Sequence, residues 1–323
     1  MKFDSFKETI AGAKSIIILS HVNPDGDTLG AMTALYNGIN LNLKRDDLET
    51  DMVYNGIIPE SYKFLPNIDK AKSPKDLAKN RVYDLAIAID IAAMDRMGDS
   101  LPFFKNAKIK MNIDHHKTNN GFGDVNFVRG DACCAGEVLF DIYTNLKFKI
   151  DNDVATGLYT SFLTDTGAFR YENTSAVTLQ KSAELINYGA NPSLISRYCY
   201  ETKPKNMVML HAHCLVNAKF YEDNKIAGIC ITNKDMDKYN AQNDYTEGLV
   251  EELRRIKTTE ISFVLKEVDE NTTKVSLRSK EKDISAVAQV FGGGGHTFAA
   301  GCTIRKPIKI ACDKLLEEIK KVI

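Results

Sequence analysis

The chain is 323 residues long, enough for two domains of ordinary size. Its 42 basic and 43 acidic residues leave a formal net charge of -1, which argues against the strongly basic surface that grips long nucleic acid but leaves room for a small anionic substrate held by local charges. No apolar run approaches the ~18 residues needed to span a bilayer, the first five residues carry no leader-like apolar segment, and seven cysteines without a repeating spacing fit reduced thiols, so a cytoplasmic protein with no membrane association is expected.

The isoleucine-rich run 15–19 is too short for a helix and is predicted as a buried strand, while 29–39 carries apolar residues at helical spacing. Between them, Asn23-Pro24-Asp25-Gly26-Asp27 is turn chemistry. One imidazole, His21, and two carboxylates, Asp25 and Asp27, therefore fall at the carboxyl end of a parallel strand, where open α/β sheets bind their ligands. A second strand is predicted over 50–54, helices over 59–65 and from Ser73-Pro74, a strand over 83–90 ending on Asp90, and another over 108–113 ending on Asp114-His115-His116. Helices follow at 133–147, 152–164 and 175–188, the second ending on Asp165, and a further helix runs from Pro192 to about Tyr200. Beyond a polar break at 201–205 the texture changes to hairpins at 220–231 and 261–278, helices at 249–256 and 284–291, four glycines with His296, a strand at 302–304 and a terminal helix from Pro307. The expected architecture is α/β: a doubly wound, mainly parallel sheet over 1–190, a helical connector over 191–210, and a smaller α+β domain over 211–323.

His21, Asp25, Asp27, Asp90, Asp114, His115, His116 and Asp165 all fall at strand or helix ends of the first domain. Carboxylates and imidazoles with no thiolate suit Mn²⁺ or Mg²⁺ better than a structural zinc. So many ligands exceed the needs of one ion and match two ions sharing a carboxylate, an arrangement that clamps a phosphoryl group when the ions lie ~3.5–4 Å apart. Cys133-Cys134 reads as a pair of small buried residues, and His211-x-His213 as ordinary surface or linker chemistry, since residues two apart on a helix point about 200° apart.

His21-x3-Asp25-x-Asp27, Asp90 after an apolar strand, Asp114-His115-His116, and Asp165 in Thr-Asp-Thr-Gly resemble, in order, the four motifs of the DHH phosphoesterase superfamily. Gly292-Gly293-Gly294-Gly295-His296 followed by Ala299-Ala300-Gly301 is similar to the signature of its DHH-associated second domain, as found in the NrnA-like branch. The resemblance implies that His21, Asp25 and Asp90 hold one metal and that Asp27, Asp90, His115 and Asp165 hold the other. It implies further that Asp90 bridges, that His116 faces the scissile phosphate, and that Asp114 orients a ligand histidine. The ions implied are two Mn²⁺, with Mg²⁺ or Co²⁺ as substitutes, and the assembly often formed is a homodimer.

The implied activity is hydrolysis of very short RNA or dinucleotides to mononucleotides, together with dephosphorylation of 3′-phosphoadenosine 5′-phosphate. The alternatives are a hydrolase of a signalling dinucleotide, linear or cyclic diadenylate, and a non-catalytic nucleotide sensor on the same fold. Gly293, Gly294, Gly295, His296 and Arg278 are expected to bind substrate phosphate, glycine letting backbone N–H groups approach an anion closely. Arg96 and Arg170 are candidates to reach it too. One departure stands out: several relatives carry a basic residue directly after the glycine-histidine motif, and this chain has Thr297-Phe298.

Overall fold

Isoleucine and leucine at 16–19 are buried on both sides of their strand, as the centre of a parallel sheet requires. The computed structural model describes residues 3–323; Met1 and Lys2, part of the stretch read as leaderless, lie outside the described residues. The first unit runs α1 (Asp4–Gly12), β1 (Ser15–Val22), α2 (Gly26–Leu43), β2 (Glu49–Asn55), β3 (Leu85–Ile89), α3 (Leu101–Asn106), β4 (Ile109–Asp114), β5 (Val125–Val128), α4 (Ala135–Asn145), α5 (Asn152–Asp165), α6 (Ala176–Asn187) and α7 (Pro192–Tyr200). Its five strands are all parallel in the order β2-β1-β3-β4-β5. One face packs on α1, α2, α4 and α5 through Phe6, Leu35, Leu139 and Phe162, and the other on α3 and its neighbouring turns through Phe103, Phe104 and Met97. The sheet is thus doubly wound.

Two helices of this layer meet backbone to backbone. Gly30 of α2 and Gly157 of α5 lie so close that a Cβ on Gly30 would stand 2.5 Å from the Gly157 carbonyl oxygen. That approach brings the first turn of α2 and the last turn of α5, each carrying an expected ligand, to the same side of the sheet.

The second unit begins at Lys203. It runs α8 (Lys205–Val216), β6 (Lys219–Tyr221), β7 (Ile226–Ile231), α9 (Asn233–Lys238), α10 (Leu249–Arg254), β8 (Ile261–Asp269), β9 (Thr272–Ser279), α11 (Ser285–Val290), β10 (Gly294–His296), β11 (Ala299–Ile304) and α12 (Ile308–Ile319). Its six strands lie in the order β10-β11-β9-β8-β7-β6, antiparallel except for β7 with β8.

Several expectations need correction. Segment 191–210 is not a connector: Ile195 of α7 joins the first core and Leu210 of α8 the second, with the division between Thr202 and Lys203. The helix expected over 59–65 is a single 3-10 turn, Glu60–Tyr62, between Pro59 and Pro66. The one at Ser73-Pro74 is likewise one turn, closed by a Ser73–Asp76 capping box. The four-glycine run, to which no element was assigned, ends in a strand, β10.

Gly30→Ala gains helix propensity worth less than about 1 kcal/mol but drives its methyl into the α5 backbone. A net loss of about 1–3 kcal/mol is expected from such overpacking, read as a lower urea midpoint; an unchanged midpoint would show that the two helices do not touch here.

Candidate metal centre

The site begins where β1 ends. His21 Nδ1 donates to the Val22 carbonyl (2.9 Å), which fixes the tautomer and leaves Nε2 facing Asp90 Oδ2 at 3.6 Å and Asp25 Oδ1 at 3.9 Å. Asp25 is the N-cap of α2 and accepts the Thr28 amide (3.1 Å). Asp27, in the first turn of α2, is 2% exposed. Its carboxylate accepts the Ala135 amide (2.9 Å) at the start of α4 and the Ser161 hydroxyl of α5. The amino end of α4 therefore rests on the Asp27 side chain, where its partial positive charge offsets part of the cost of a buried carboxylate, while burial and the neighbouring Asp90 push the Asp27 pKa up. Cys134 belongs to the same joint: it is buried and its sulfur accepts the Glu137 amide as N-cap.

Asp90 follows β3 with φ of 57°, a left-handed backbone that a non-glycine residue adopts at a cost of about 1–3 kcal/mol. Its amide is held by the Ile113 carbonyl (2.9 Å) and its Oδ2 by the Thr28 hydroxyl (2.6 Å). Its Oδ1 is buried and has no hydrogen-bond partner, 3.5 Å from His115 Nε2 and 3.7 Å from His116 Nδ1. His115 Nε2 also lies 3.5 Å from Asp27 Oδ2 and 3.8 Å from Asp165 Oδ2.

Asp165 ends α5 just before three consecutive left-handed residues, Gly167, Ala168 and Phe169, and Asn173 Nδ2 reaches its carboxylate at 3.3 Å. Asp114, fully buried, accepts His116 Nδ1 (2.8 Å) and Asn119 Nδ2 (2.6 Å). It therefore orients His116, not the histidine expected as a ligand, His115.

Among the described residues three sets of donor atoms lie within 4.8 Å of one another: His21/Asp25/Asp90, Asp27/His115/Asp165, and Asp90/Asp114/His115/His116, in the last of which Asp114 is taken up by His116 and Asn119; Asp90 also faces the second set. The oxygen and imidazole donors fit hard or borderline divalent ions, and the buried Asp90 Oδ1, which accepts no hydrogen bond, is where a cation would satisfy a buried anion. Electrostatics agree. Burial works against a charge on His115, yet Asp90, Asp27 and Asp165 push its pKa up to about 10. Burial, with repulsion from Asp90 and Asp25, raises Asp165 to about 6 despite the opposing pull of His115. Positive charge is what the cluster lacks.

Sequence reasoning missed Asn119, Ser161 and Asn173. Asn119 also bonds Asn112 Oδ1 (2.7 Å) and the Ile91 carbonyl (3.0 Å), tying the His116 turn to the strand ends. Its signal was an amide three residues past the histidine pair. Of the two arginines proposed for phosphate, Arg170 spends its Nε on the Gly167 carbonyl (2.6 Å), closing the turn after Asp165, and Arg96 is exposed in the turn after β3. In the second unit, Arg278 and Gly292–294 line one groove, whereas Gly295 and His296 continue β10 and are not among its lining residues. A Cβ on Gly293 would meet the Gly301 carbonyl at 2.2 Å, so the close approach of these strands demands glycine. His211 and His213 take separate partners, the Tyr245 carbonyl and Asp235, and form no pair, but His211 is buried in α8 rather than lying on the surface or in a linker.

Two family models match the chain: the N-terminal domain of the DHH family over residues 15–162, and the DHHA1 domain over 224–323. The chain belongs to the DHH phosphoesterase family, in the branch that carries a DHHA1 domain, and is a hydrolase of that metal-dependent class. It is 29% identical over 301 residues to the bifunctional oligoribonuclease and PAP phosphatase NrnA of Bacillus subtilis, spanning 92% of this chain and 91% of that one. It is also 29% identical over 302 residues to the probable NrnA of Streptococcus mutans, spanning 92% and 93%. An exopolyphosphatase-related protein from Bacteroides fragilis has the same fold, with a TM-score of 0.91 at 25% identity over 99% of this chain and 95% of that one. Among the described residues no helix is long and apolar enough to cross a membrane.

Ion binding must displace the His115 proton, which the surrounding carboxylates hold up to a pH near 10, and any proton on Asp165 below a pH near 6. Titration of chelator-stripped protein in buffers of different ionisation enthalpy should therefore show about one proton released at pH 7.5 and a metal affinity that rises with pH. Binding without proton release would contradict the assignment of His115.

Proposed function

We propose that this chain is a cytoplasmic two-metal phosphodiesterase, working with Mn²⁺, that degrades very short oligoribonucleotides to mononucleotides and removes the 3′ phosphate of 3′-phosphoadenosine 5′-phosphate. The observation that carries the reading is the buried, partnerless Oδ1 of Asp90, standing between two His/Asp sets at the carboxyl ends of parallel strands. His21, Asp25 and Asp90 would hold one ion, and Asp27, Asp90, His115 and Asp165 the other. When bound, such ions neutralise charge growing on a phosphoryl group and lower the pKa of a water nucleophile.

The remaining roles fall to the chain's own groups. His116, one-third exposed and bound through Nδ1 to Asp114, faces outward with a pKa raised by that hydrogen bond, suited to protonate the leaving oxygen. Asn119 and Asn112 hold Asp114 against it. The mixture of imidazole and carboxylate donors favours Mn²⁺ over Mg²⁺, whose ligands are almost all oxygen. The choice of short RNA and of 3′-phosphoadenosine 5′-phosphate is supported by the NrnA relatives and by a net charge too small for long nucleic acid.

The test is a comparison of kcat/KM with Mn²⁺ across a 5′-phosphorylated RNA dinucleotide, a 5-mer, a 24-mer, 3′-phosphoadenosine 5′-phosphate, linear and cyclic diadenylate, and pyrophosphate. Highest activity on the shortest RNA, falling with length, supports the proposal. Activity on diadenylate alone assigns the chain to turnover of a signalling dinucleotide, and tight binding without turnover makes it a sensor. Asp90→Ala should lower kcat by at least about a thousandfold, the scale of losing a principal charge-stabilising group, with an unchanged circular dichroism spectrum. Near-normal turnover in that variant would sink the two-metal reading.

A further inference from the structure

The two faces of β7 carry different chemistry. Ala227, Ile229 and Ile231 pack with Leu210 of α8 and Leu249 of α10, whereas Ile226, Gly228 and Cys230 alternate onto the face covered by α12. Helix α12 turns Ala311, Cys312, Leu315 and Ile319 toward that face, the stripe of a helix lying on a sheet. Its far end is tied down by Lys320, whose Nζ lies 2.7 Å from Glu222 Oε1 in the turn before β7. Cys312 lies about 12 Å back along the helix from that tie, and Cys230 about 13 Å along the strand from Ile226. Helix and strand therefore run past each other in opposite senses and bring the two thiols to one end. Pairing of β6 with β7 stops at Gly228, so Cys230 stands past the end of the edge strand and is exposed, while Cys312 is buried.

The Cys230 thiol donates a hydrogen bond to the Cys312 sulfur, and the Tyr221 hydroxyl donates to the same atom. Tyr221 is set by its ring, which stacks on Phe263 at 6.4 Å between centroids. Phe263 in turn lies over Gly228, where a Cβ would stand 2.0 Å from the ring. Lys219, on the same face of β6 as Tyr221, adds a positive charge. The bond from Cys230 first, then that from Tyr221 and the charge of Lys219, hold the Cys312 thiol below its ordinary pKa against burial and Asp313. Cys230, as the donor of that bond, is pushed up. A thiol inclined to ionise, touching a second thiol open to solvent, is the arrangement of a redox-sensitive pair. The other cysteines lack it: Cys133 and Cys134 are buried neighbours, and burial raises Cys134, Cys199, Cys214 and Cys302.

We propose that Cys230 and Cys312 form a peroxide-sensitive pair that closes to a disulfide and pins α12 to β7. The Cys312 thiolate attacks hydrogen peroxide, so that an S–O bond forms and the O–O bond breaks. The departing hydroxide takes up the proton that Cys312 gave up and becomes water. The Cys230 sulfur then attacks the sulfenic acid; the S–S bond forms, the S–O bond breaks, and a second water leaves with the Cys230 proton. Two thiols are oxidised by two electrons in all, and one peroxide is reduced to two waters. In a cytoplasm such a bond is transient, reopened by thiol reductants.

The experiment treats the full-length protein with a small excess of hydrogen peroxide and reads free thiols, intact mass and the tryptic map. Wild type should lose two of its seven thiols, become two hydrogens lighter, and yield one cross-linked peptide joining Cys230 to Cys312. Dithiothreitol should restore all seven. Cys230→Ser should stop at a Cys312 sulfenic acid that dimedone captures, and Cys312→Ser should form no disulfide. Wild type that keeps all seven thiols overturns the inference. So does a wild-type disulfide that joins Cys133 to Cys134, or Cys230 to any cysteine other than Cys312, while Cys312 stays reduced.

Discussion

Asp90 is a buried carboxylate whose Oδ1 no group of the protein satisfies, and the architecture of the first unit follows from holding it there. A charged oxygen away from water is costly unless it is paired, and here only the imidazoles of His115 and His116, too far for a hydrogen bond, offset that cost. The chain meets that cost by crowding donors around the site rather than relaxing it. Thr28 donates to one oxygen, the Ile113 carbonyl fixes the backbone at positive φ, and two imidazoles stand within 4 Å of the other oxygen. Asp25, Asp27 and Asp165 are then brought into the same space, a crowding of like charge that raises the pKa of Asp165 and His115 and that a bound cation would relieve.

Each of those carboxylates is positioned by a different device, and the devices depend on one another. Asp27 is fixed because α4 starts on it, and α4 starts there because Ser161 and Cys134 complete the joint. Asp165 is delivered by α5, which approaches α2 closely enough to bring the two carboxylates together only because Gly30 and Gly157 have no side chains. His116 points outward because Asp114 holds it, and Asp114 is steadied by Asn119. A change in helix packing is therefore a change in ligand geometry.

The candidate ligand residues were legible from the sequence because each lies at or near the end of a strongly apolar strand or a well-marked helix, where period and turn chemistry agree. His21, Asp90, His115 and Asp165 needed no knowledge of long-range contacts to be singled out. Asn119, Ser161 and Asn173 did: each is an isolated polar residue whose role exists only through partners brought in by the fold, such as Asp27, 134 positions from Ser161. Elements were lost for equally local reasons. β5 buries only Phe127 and so shows no alternation, and α8, with apolar residues spread around it, carries no amphipathic stripe to set it apart from a connector. The glycine run was read for its chemistry alone, and its use as a strand edge was invisible until β11 was seen to pair with it.

The central claim is that one buried carboxylate is shared by two ions, and anomalous diffraction from crystals soaked in Mn²⁺, collected at the manganese edge, tests it most directly. The account predicts two peaks, one beside His21 and Asp25, the other beside Asp27, His115 and Asp165, with the Asp90 carboxylate contacting both. A single peak, or a pair in which Asp90 touches neither ion or only one, would contradict it.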